Sequence, residues 1–265
     1  MKIVVLGSGT CVPSLRRSSC SILIEMAQGL LLFDFGAGTM KRLLEAGVTI
    51  NMLSYIFFSH LHPDHTGELV PFLFATKYPQ TYRRRTPITI VAAKGFVDFY
   101  EKLKFAYGEW IELAPGLLKI SELDATGRDH LDCGLFDVDS LPMNHTDMSL
   151  AYRITAPDGT SVVYSGDTDL CDNLVTLARG VDLLICESAL PDETKVPGHL
   201  TPSLAGQIAT QAGVKKLVLI HFYPECDAVD VGRQCRKAYD GPLVLAEDLM
   251  EIWLPSESYE NGVKR

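Results

Sequence analysis

Residues 56–68 read Ile56-Phe57-Phe58-Ser59-His60-Leu61-His62-Pro63-Asp64-His65-Thr66-Gly67-Glu68. Positions 60–65 hold three histidines and one aspartate, although the 265-residue chain has only 7 His. The apolar run Ile56–Ser59 predicts a buried strand, and Pro63 with the following Thr66-Gly67 predicts that a tight loop begins there. A polar loop with histidines present by chance is the alternative, and the density of histidines in this segment argues against it.

The spacing within this segment favours metal binding. His60 and His62 are two positions apart, so at a strand end both side chains point to one face. Asp64 and His65 follow in the predicted loop and offer a carboxylate and an imidazole to a neighbouring point. Two adjacent divalent metal ions require this arrangement of ligands.

Composition and charge limit the class of protein. Hydrophobic residues make up 47% of the chain and charged residues 22%, which is ordinary for a globular protein with a large core. The net charge of −9 argues against a protein that grips long polyanions, because such proteins usually carry a basic face. Arg83-Arg84-Arg85 is the basic run of the sequence, and we predict that it forms a solvated turn.

Neither a membrane span nor a disulfide framework is indicated. The apolar run after Met1 ends at Gly7 and is too short for a signal-peptide core, and no later stretch approaches the ~20 apolar residues of a membrane helix. The seven cysteines include no C-x-x-C pair. They are typical of reduced thiols, so we expect a cytoplasmic protein.

Strand and helix patterns cover most of the chain, and no linker divides it. We expect strands at Lys2–Leu6, Ser21–Glu25, Leu30–Phe33, Ile56–Ser59, Ile88–Ala92, Leu117–Leu123, Phe136–Met143, Leu150–Thr155, Ser161–Ser165, Val181–Cys186, Leu217–Ile220, Leu243–Leu245 and Met250–Leu254. We expect helices at Met40–Ala46, Glu68–Tyr78, Phe96–Tyr107, Leu174–Ala178, Pro202–Ala212 and Val229–Tyr239. Two strand-rich halves predict two packed sheets with helices outside, in a single domain over residues 1–265 with a polar tail from about 256.

Two glycine-containing turns connect predicted elements in the first part of the chain. Ala27-Gln28-Gly29 predicts a hairpin between two early strands. Gly36-Ala37-Gly38 stands between a strand and a helix, where such a turn can bind a phosphate. The remaining residues of the dinucleotide fingerprint are missing, so a turn packed beneath the histidine-rich loop is favoured.

Three further metal-competent residues each follow a predicted strand. They are His145, Asp167 and His221. A lone residue of this kind is usually a structural group with satisfied hydrogen bonds. Three such residues, each directly after a predicted strand, indicate together with the histidine-rich loop a shared site at the rim of the sheets.

The motif His60-x-His62-x-Asp64-His65 resembles the signature of the metallo-β-lactamase superfamily. The order of the other motifs resembles its ribonuclease Z-like branch over nearly the whole chain: Leu6-Gly7-Ser8-Gly9-Thr10, Leu150-Ala151-Tyr152-Arg153, Tyr164-Ser165-Gly166-Asp167-Thr168, Asp182-Leu183-Leu184-Ile185-Cys186-Glu187, Gly198-His199-Leu200-Thr201 and Val218-Leu219-Ile220-His221-Phe222. This resemblance implies an αββα four-layer sandwich, two metal ions at the sheet rims and often a homodimer.

The candidate ligands divide into two sets joined by one carboxylate. One set is His60, His62 and His145; the other is Asp64, His65 and His221; Asp167 would bridge the two metals. A hydroxide shared by two metal ions ~3.5–4 Å apart is a strong nucleophile at neutral pH. Zinc suits the imidazole-rich set, with manganese or iron as alternatives.

Glu187 and His199 are the candidates for proton transfer, and Asp64 is the residue expected to orient the attacking hydroxide. Glu187 ends a predicted strand, and His199 precedes a predicted helix. A carboxylate can fix the tautomer of a histidine and raise its basicity. A structural role for His199 at the start of the helix is the alternative. The resemblance implies that His199 contacts the scissile phosphate and helps the leaving oxygen depart, whereas His130 is interpreted as a surface residue.

One departure from ribonuclease Z concerns the substrate. The long Gly/Pro-rich arm that grips transfer RNA is missing, since Tyr107 is followed only by Gly108–Gly116 before the next strand. We therefore expect a metal-dependent phosphodiesterase that acts on a small phosphodiester or nucleotide, such as a cyclic nucleotide, a dinucleotide or a phosphonate-pathway ester. The alternatives are a transfer-RNA 3′ endonuclease, a lactone, thioester or β-lactam hydrolase, a redox di-iron protein and a metal-binding subunit without turnover.

Overall fold

Two seven-stranded β-sheets form the centre of the computed structural model, which describes residues 1–27, 29–78 and 80–254. The first sheet has, in spatial order, β14 (Glu251–Trp253), β1 (Lys2–Gly7), β2 (Ser21–Met26), β3 (Gly29–Phe33), β4 (Leu53–Phe57), β5 (Ile88–Ala93) and β6 (Leu118–Leu123). The second sheet has β13 (Leu243–Leu245), β12 (Leu217–Ile220), β11 (Leu183–Glu187), β10 (Ser161–Tyr164), β9 (Leu150–Thr155), β8 (Asp137–Pro142) and β7 (Asp129–Asp132).

The strand directions bring several strand ends to one rim. Strands β3 to β6 run parallel to one another, and so do β10 to β13. Since parallel strands end at the same edge of a sheet, the residues that follow β10, β11 and β12 lie side by side. Loops at this rim carry the candidate ligands of the second sheet.

Helices cover both outer faces of the sheets. They are α1 (Thr39–Glu45), α2 (Pro63–Thr66), α3 (Leu69–Lys77), α4 (Phe96–Tyr107), α5 (Asp172–Leu177), α6 (Pro202–Ala212) and α7 (Val231–Cys235), with short 3₁₀ turns at Ile50–Met52, Gly108–Ile111, Asp192–Thr194 and Pro224–Ala228. Within the residues that the structure describes, every helix is too short or too polar to cross a membrane.

Two buried clusters hold these layers together. Between the sheets, the rings of Phe33 and Phe57 stack with centroids 4.7 Å apart, and Tyr152 meets Phe57 edge-on at 5.4 Å. Outside the first sheet, the rings of Phe58 and Phe96 stack at 5.3 Å and join that sheet to α4. The sandwich of two sheets between helical layers confirms the expected αββα fold.

Most strands and helices lie close to the predicted bounds, and two departures concern β7 and α7. The edge strand β7 was missed, because its sequence Asp129-His130-Leu131-Asp132 is largely charged and resembles a loop. Edge strands tolerate charge since one side of their backbone faces solvent. The helix predicted over Val229–Tyr239 is only α7, which the Asp230 side chain caps by accepting from the Arg233 amide at 2.8 Å.

The prediction of a solvated Arg83–Arg85 turn is wrong for its central residue. Arg84 is only 2% exposed, and its guanidinium donates to the carbonyl oxygens of Ile50 and Leu53 at 2.8 and 2.9 Å. Burial lowers the pKa of Arg84 to about 10. Single-sequence reasoning missed this because the carbonyl acceptors belong to a distant turn.

Two predicted features fall partly or wholly outside the described residues. Strands β2 and β3 pair antiparallel with Met26 opposite Gly29, as the hairpin prediction requires, but Gln28 within the turn is outside the described residues. The predicted polar tail from about residue 256 also lies outside them.

Candidate metal centre

The histidine-rich segment contains one helical turn in place of the predicted loop. Strand β4 ends at Phe57, and residues 63–66 form α2 with Pro63 at its start. Proline suits this position because it has no N–H group to leave unpaired there and its φ is already helical. The amides of His65 and Thr66 donate to the carbonyl oxygen of His62 at 3.0 and 3.1 Å, so the turn aims Asp64 and His65 back toward the rim.

The glycine turn after β3 supports this helical turn from beneath. A Cβ atom at Gly36 would lie 2.0 Å from the carbonyl oxygen of Asp64, so the two segments can approach this closely only with glycine there. The Glu68 carboxylate accepts from the amides of Gly38 and Met40 at 2.8 and 2.5 Å. These are the amides a phosphate would use, so the interpretation as a packed turn is confirmed.

The seven candidate ligands converge in two groups. The ligand atoms of His60, His62, His145 and Asp167 lie within 4.8 Å of one another, and so do those of a second group, Asp64, His65 and His221.

Asp167 lies between the two groups. Its Oδ2 is 3.6 Å from Nε2 of His60 and 3.3 Å from Nε2 of His65. Its Oδ1 is 3.4 Å from Nε2 of His221. Each carboxylate oxygen thus faces imidazoles, and one side chain reaches both groups.

Several of these ligand atoms are buried without a hydrogen-bond partner among the described residues. They are Nε2 of His60, Nε2 of His65, Nε2 of His221 and Oδ1 of Asp167. Buried polar atoms are normally paired, because an unpaired one costs free energy. Imidazole nitrogens and carboxylate oxygens that converge unpaired are the donor set that Zn²⁺ and similar ions prefer, so the residues fit a pair of divalent metals.

Outer hydrogen bonds orient the imidazoles. Nδ1 of His60 is 3.0 Å from Oγ of Ser59, and Nδ1 of His145 is 2.8 Å from the carbonyl oxygen of Gly198. With Nδ1 engaged, Nε2 is the atom left to bind a metal. His62 differs, because its Nδ1 is the atom that faces Nε2 of His145, at 3.1 Å.

Asp34 is a site residue that sequence reasoning missed. Its Oδ2 is 2.7 Å from Nδ1 of His65 and accepts from the Tyr164 hydroxyl at 2.6 Å. It also accepts from the amide and hydroxyl of Ser59, both at 2.7 Å. The available signal was a carboxylate directly after the apolar run of β3, where a charged residue is buried only if it is paired.

The electrostatics of the cluster favour metal-competent forms of several ligands. Burial lowers the pKa of His60 well below its ordinary value and also lowers that of His145. Burial by itself raises the pKa of Asp64, but the neighbouring imidazoles of His221 and His65 lower it to about 2. His65 is the exception: although burial opposes it, the charges of Asp167 and Asp34 raise its pKa.

His199 and Glu187 form a pair beside this cluster. Nδ1 of His199 is 3.0 Å from Oε1 of Glu187 and 4.0 Å from Oδ2 of Asp167. The buried Glu187 carboxylate also accepts from the amides of Thr168 and Leu200 at 2.8 and 3.1 Å. The histidine therefore has one nitrogen held by a rigid acceptor.

His130 lies apart from the cluster. Its half-exposed imidazole is 3.4 Å from Asp137 and 3.5 Å from Asp139 on the neighbouring strand β8. The prediction of a surface position for His130 is confirmed.

Comparison with known proteins agrees with this fold. The family model described as the Beta-lactamase superfamily domain matches residues 31–222. An uncharacterized protein of Mycobacterium tuberculosis is 32% identical over 260 residues, which cover 95% of this chain and 92% of that protein. The ribonuclease Z of Thermobifida fusca is 27% identical over an alignment of 318 residues that covers 98% of this chain and 97% of the enzyme.

A solved structure extends the comparison to the fold. The metallo-beta-lactamase fold protein YhfI from Bacillus subtilis superposes with a TM-score of 0.80 at 23% identity, over 95% of this chain and 99% of that chain. The family match, the sequence relatives and the fold all agree. The chain belongs to the metallo-β-lactamase superfamily of hydrolases, in its ribonuclease Z-like branch.

Proposed function

We propose that the protein is a dinuclear metal-dependent phosphodiesterase acting on a small phosphodiester or nucleotide. The observation that carries this proposal is the convergence of two groups of ligand atoms on Asp167, with the His199–Glu187 pair beside them. Membership of a hydrolase superfamily and similarity to ribonuclease Z support phosphodiester chemistry.

The seven ligands have distinct places in this proposal. His60, His62 and His145 would hold one metal ion, and Asp64, His65 and His221 would hold the other. Asp167 is shared, as its two oxygens face both groups. Two bound divalent ions would supply a strong nucleophile by lowering the pKa of water, and they would stabilise charge on the phosphoryl oxygens. Zinc suits this imidazole-rich set, with manganese and iron as alternatives.

One ligand and two side chains beside the ligands orient the water and move the proton. Asp64 accepts a hydrogen bond from the attacking water and so orients it toward phosphorus. His199 protonates the leaving oxygen, while Glu187 holds its Nδ1. Burial by itself lowers the pKa of His199, but the hydrogen bond to Glu187 and its charge raise it, which favours the protonated form that donates.

A small substrate is favoured over transfer RNA. Helix α4 ends at Tyr107, and β6 begins at Leu118 after only a short connection. The alignment with the Thermobifida fusca ribonuclease Z is longer than this entire chain, so that enzyme carries insertions that are missing here. The net charge of −9 also opposes binding of a long polyanion.

The proposal includes a homodimer in the cytoplasm. An aromatic cluster of Phe74, Tyr78 and Trp110 lies on α3 and the turns beside it, with ring centroids 5.3 to 6.2 Å apart. All three side chains are exposed. Exposed apolar patches of this kind are typical of protein interfaces, and we assign this one to a second copy of the chain.

Hydrolysis of bis(p-nitrophenyl) phosphate by zinc-, manganese- or iron-loaded protein tests the proposal, with the Asp167→Ala variant as the metal-site control. We expect turnover that requires metal and is lost in the variant. Lactone, thioester and precursor transfer-RNA substrates run in parallel. Turnover of lactones or thioesters alone would overturn the phosphodiesterase assignment. Cleavage of precursor transfer RNA in preference to small diesters would favour the endonuclease alternative.

A further inference from the structure

Tyr223 lies at the rim of the candidate metal centre, directly beyond the ligand His221. Its ring centroid is 6.1 Å from that of His221 and 6.4 Å from that of His199, and its plane is nearly perpendicular to both imidazoles, at 76° and 77°. The Tyr223 amide donates to the carbonyl oxygen of Ala189 at 3.0 Å. The residue is therefore held between the ends of β11 and β12, beside the proposed proton donor.

The hydroxyl of Tyr223 lacks the kind of partner that buried tyrosines in this protein have. Its one hydrogen-bond contact among the described residues is Sγ of Cys11, at 3.8 Å. Tyr152 and Tyr164 instead donate to a carbonyl and a carboxylate oxygen at 2.7 and 2.6 Å. A thiol is a weak acceptor, so the Tyr223 hydroxyl keeps its capacity to donate to another group.

A tyrosine hydroxyl can donate a hydrogen bond, and hydrogen bonds to a charged acceptor such as a phosphoryl oxygen are stronger than those between neutral groups.

We propose that the Tyr223 hydroxyl donates a hydrogen bond to a non-bridging phosphoryl oxygen of the substrate and holds the phosphodiester against His199. This inference rests on the function proposed above and adds a substrate-binding residue to it. The half-buried ring borders the space in front of the two imidazoles.

A purely structural role makes a different prediction. In that role the hydroxyl would act through Cys11, by fixing the exposed segment that follows Gly9. Removal of the thiol would then have the same effect as removal of the hydroxyl. The two roles are thus separable with two small substitutions, Tyr223→Phe and Cys11→Ala.

The test compares both variants in metal-loaded protein. For hydrolysis of bis(p-nitrophenyl) phosphate we expect Tyr223→Phe to lower kcat/KM by about 10- to 100-fold, mostly through KM, the range for loss of one hydrogen bond to a charged group. We expect Cys11→Ala to remain within about twofold of the unmodified protein, a difference worth well under 1 kcal/mol. Metal content and Tm should be unchanged in both.

Binding of inorganic phosphate provides a readout that does not depend on turnover. Calorimetric titration of the metal-loaded proteins should give a weaker phosphate affinity for Tyr223→Phe and an unchanged one for Cys11→Ala. Equal kinetics and equal phosphate affinity in Tyr223→Phe and unmodified protein would overturn the inference, and so would an equal loss in both variants. If the unmodified protein hydrolyses no diester but Tyr223→Phe still binds phosphate more weakly, the proposed function fails and the role of Tyr223 in anion binding stands.

Discussion

Nδ1 of His65 lies 2.7 Å from Oδ2 of Asp34, and both side chains are fully buried. The same carboxylate accepts from the Ser59 amide and from the Tyr164 hydroxyl, so it joins β3, the histidine-rich segment and β10. This contact orients one candidate ligand through residues from both sheets. Loss of such outer contacts typically weakens metal binding although no ligand is removed.

Replacing Asp34 by Asn should therefore weaken metal binding. The amide has one acceptor oxygen for the four donors that the carboxylate serves, so His65 loses its fixed orientation. We expect zinc affinity to fall by roughly 10- to 100-fold, measured by competition with a coloured chelator. Tyr164→Phe removes one donor but leaves the carboxylate against His65, so a smaller loss is expected. Unchanged affinity in Asp34→Asn would contradict the proposed role.

Removal of the metals should lower the thermal stability. Buried ligand atoms such as Nε2 of His60 and of His221 have no other partner among the described residues. An ion that binds only the folded state adds about 2.7 kcal/mol when its free concentration is 100 times Kd. Calorimetry with and without zinc should show a clear rise in Tm. The Asp167→Ala variant should respond much less, and an equal rise there would show that zinc binds elsewhere.

Substitution of His199 should separate proton transfer from metal binding. We expect His199→Ala to lower turnover of bis(p-nitrophenyl) phosphate by roughly 10²- to 10⁴-fold, because the general acid is lost. Metal content, measured by mass spectrometry, should stay unchanged. Glu187→Gln should have an intermediate effect, since the amide keeps one acceptor oxygen but no charge. Full activity of His199→Ala would remove this residue from the mechanism.

The site should prefer diesters to monoesters. Among the described residues, the ion pairs of Asp64 and Asp167 are formed with histidines, and no lysine or arginine is paired with a candidate ligand. The protein side chains thus stabilise the two negative charges of a monoester less here than lysine or arginine side chains would. We expect kcat/KM for bis(p-nitrophenyl) phosphate to exceed that for p-nitrophenyl phosphate by about tenfold or more, a difference of 1.4 kcal/mol. The reverse order would indicate a phosphomonoesterase.

Arg84 offers a prediction about stability. Its guanidinium donates to four carbonyl oxygens, two of which belong to Ile50 and Leu53. Arg84→Met leaves these buried acceptors unpaired, so we expect a loss of about 2–4 kcal/mol in the free energy of unfolding. Urea denaturation measures this loss. The exposed neighbour provides the control, because Arg85→Met should change stability by at most about 0.5 kcal/mol.

The regular elements were largely predictable from local patterns. The apolar runs of β10, β11 and β12 and the Pro202–Ala212 helix begin and end near their predicted residues, because hydrophobic periodicity and a proline at the first helical position are local signals. Strand β7 escaped prediction because its charged sequence depends on pairing with β8. A strand whose stability comes from its neighbour carries little signal of its own.

The site residues likewise include some that local sequence predicts and some that depend on tertiary contacts. Sequence by itself determined the candidate ligands, because histidines and carboxylates directly after strands are visible in order along the chain, and it also determined the His199–Glu187 pair. Only the tertiary structure decided that Asp34 orients His65, that Arg84 is buried and that the Tyr223 hydroxyl meets the weak partner Cys11 at the rim. Each of these depends on a contact between segments far apart in sequence, and such contacts exist only after both sheets have formed.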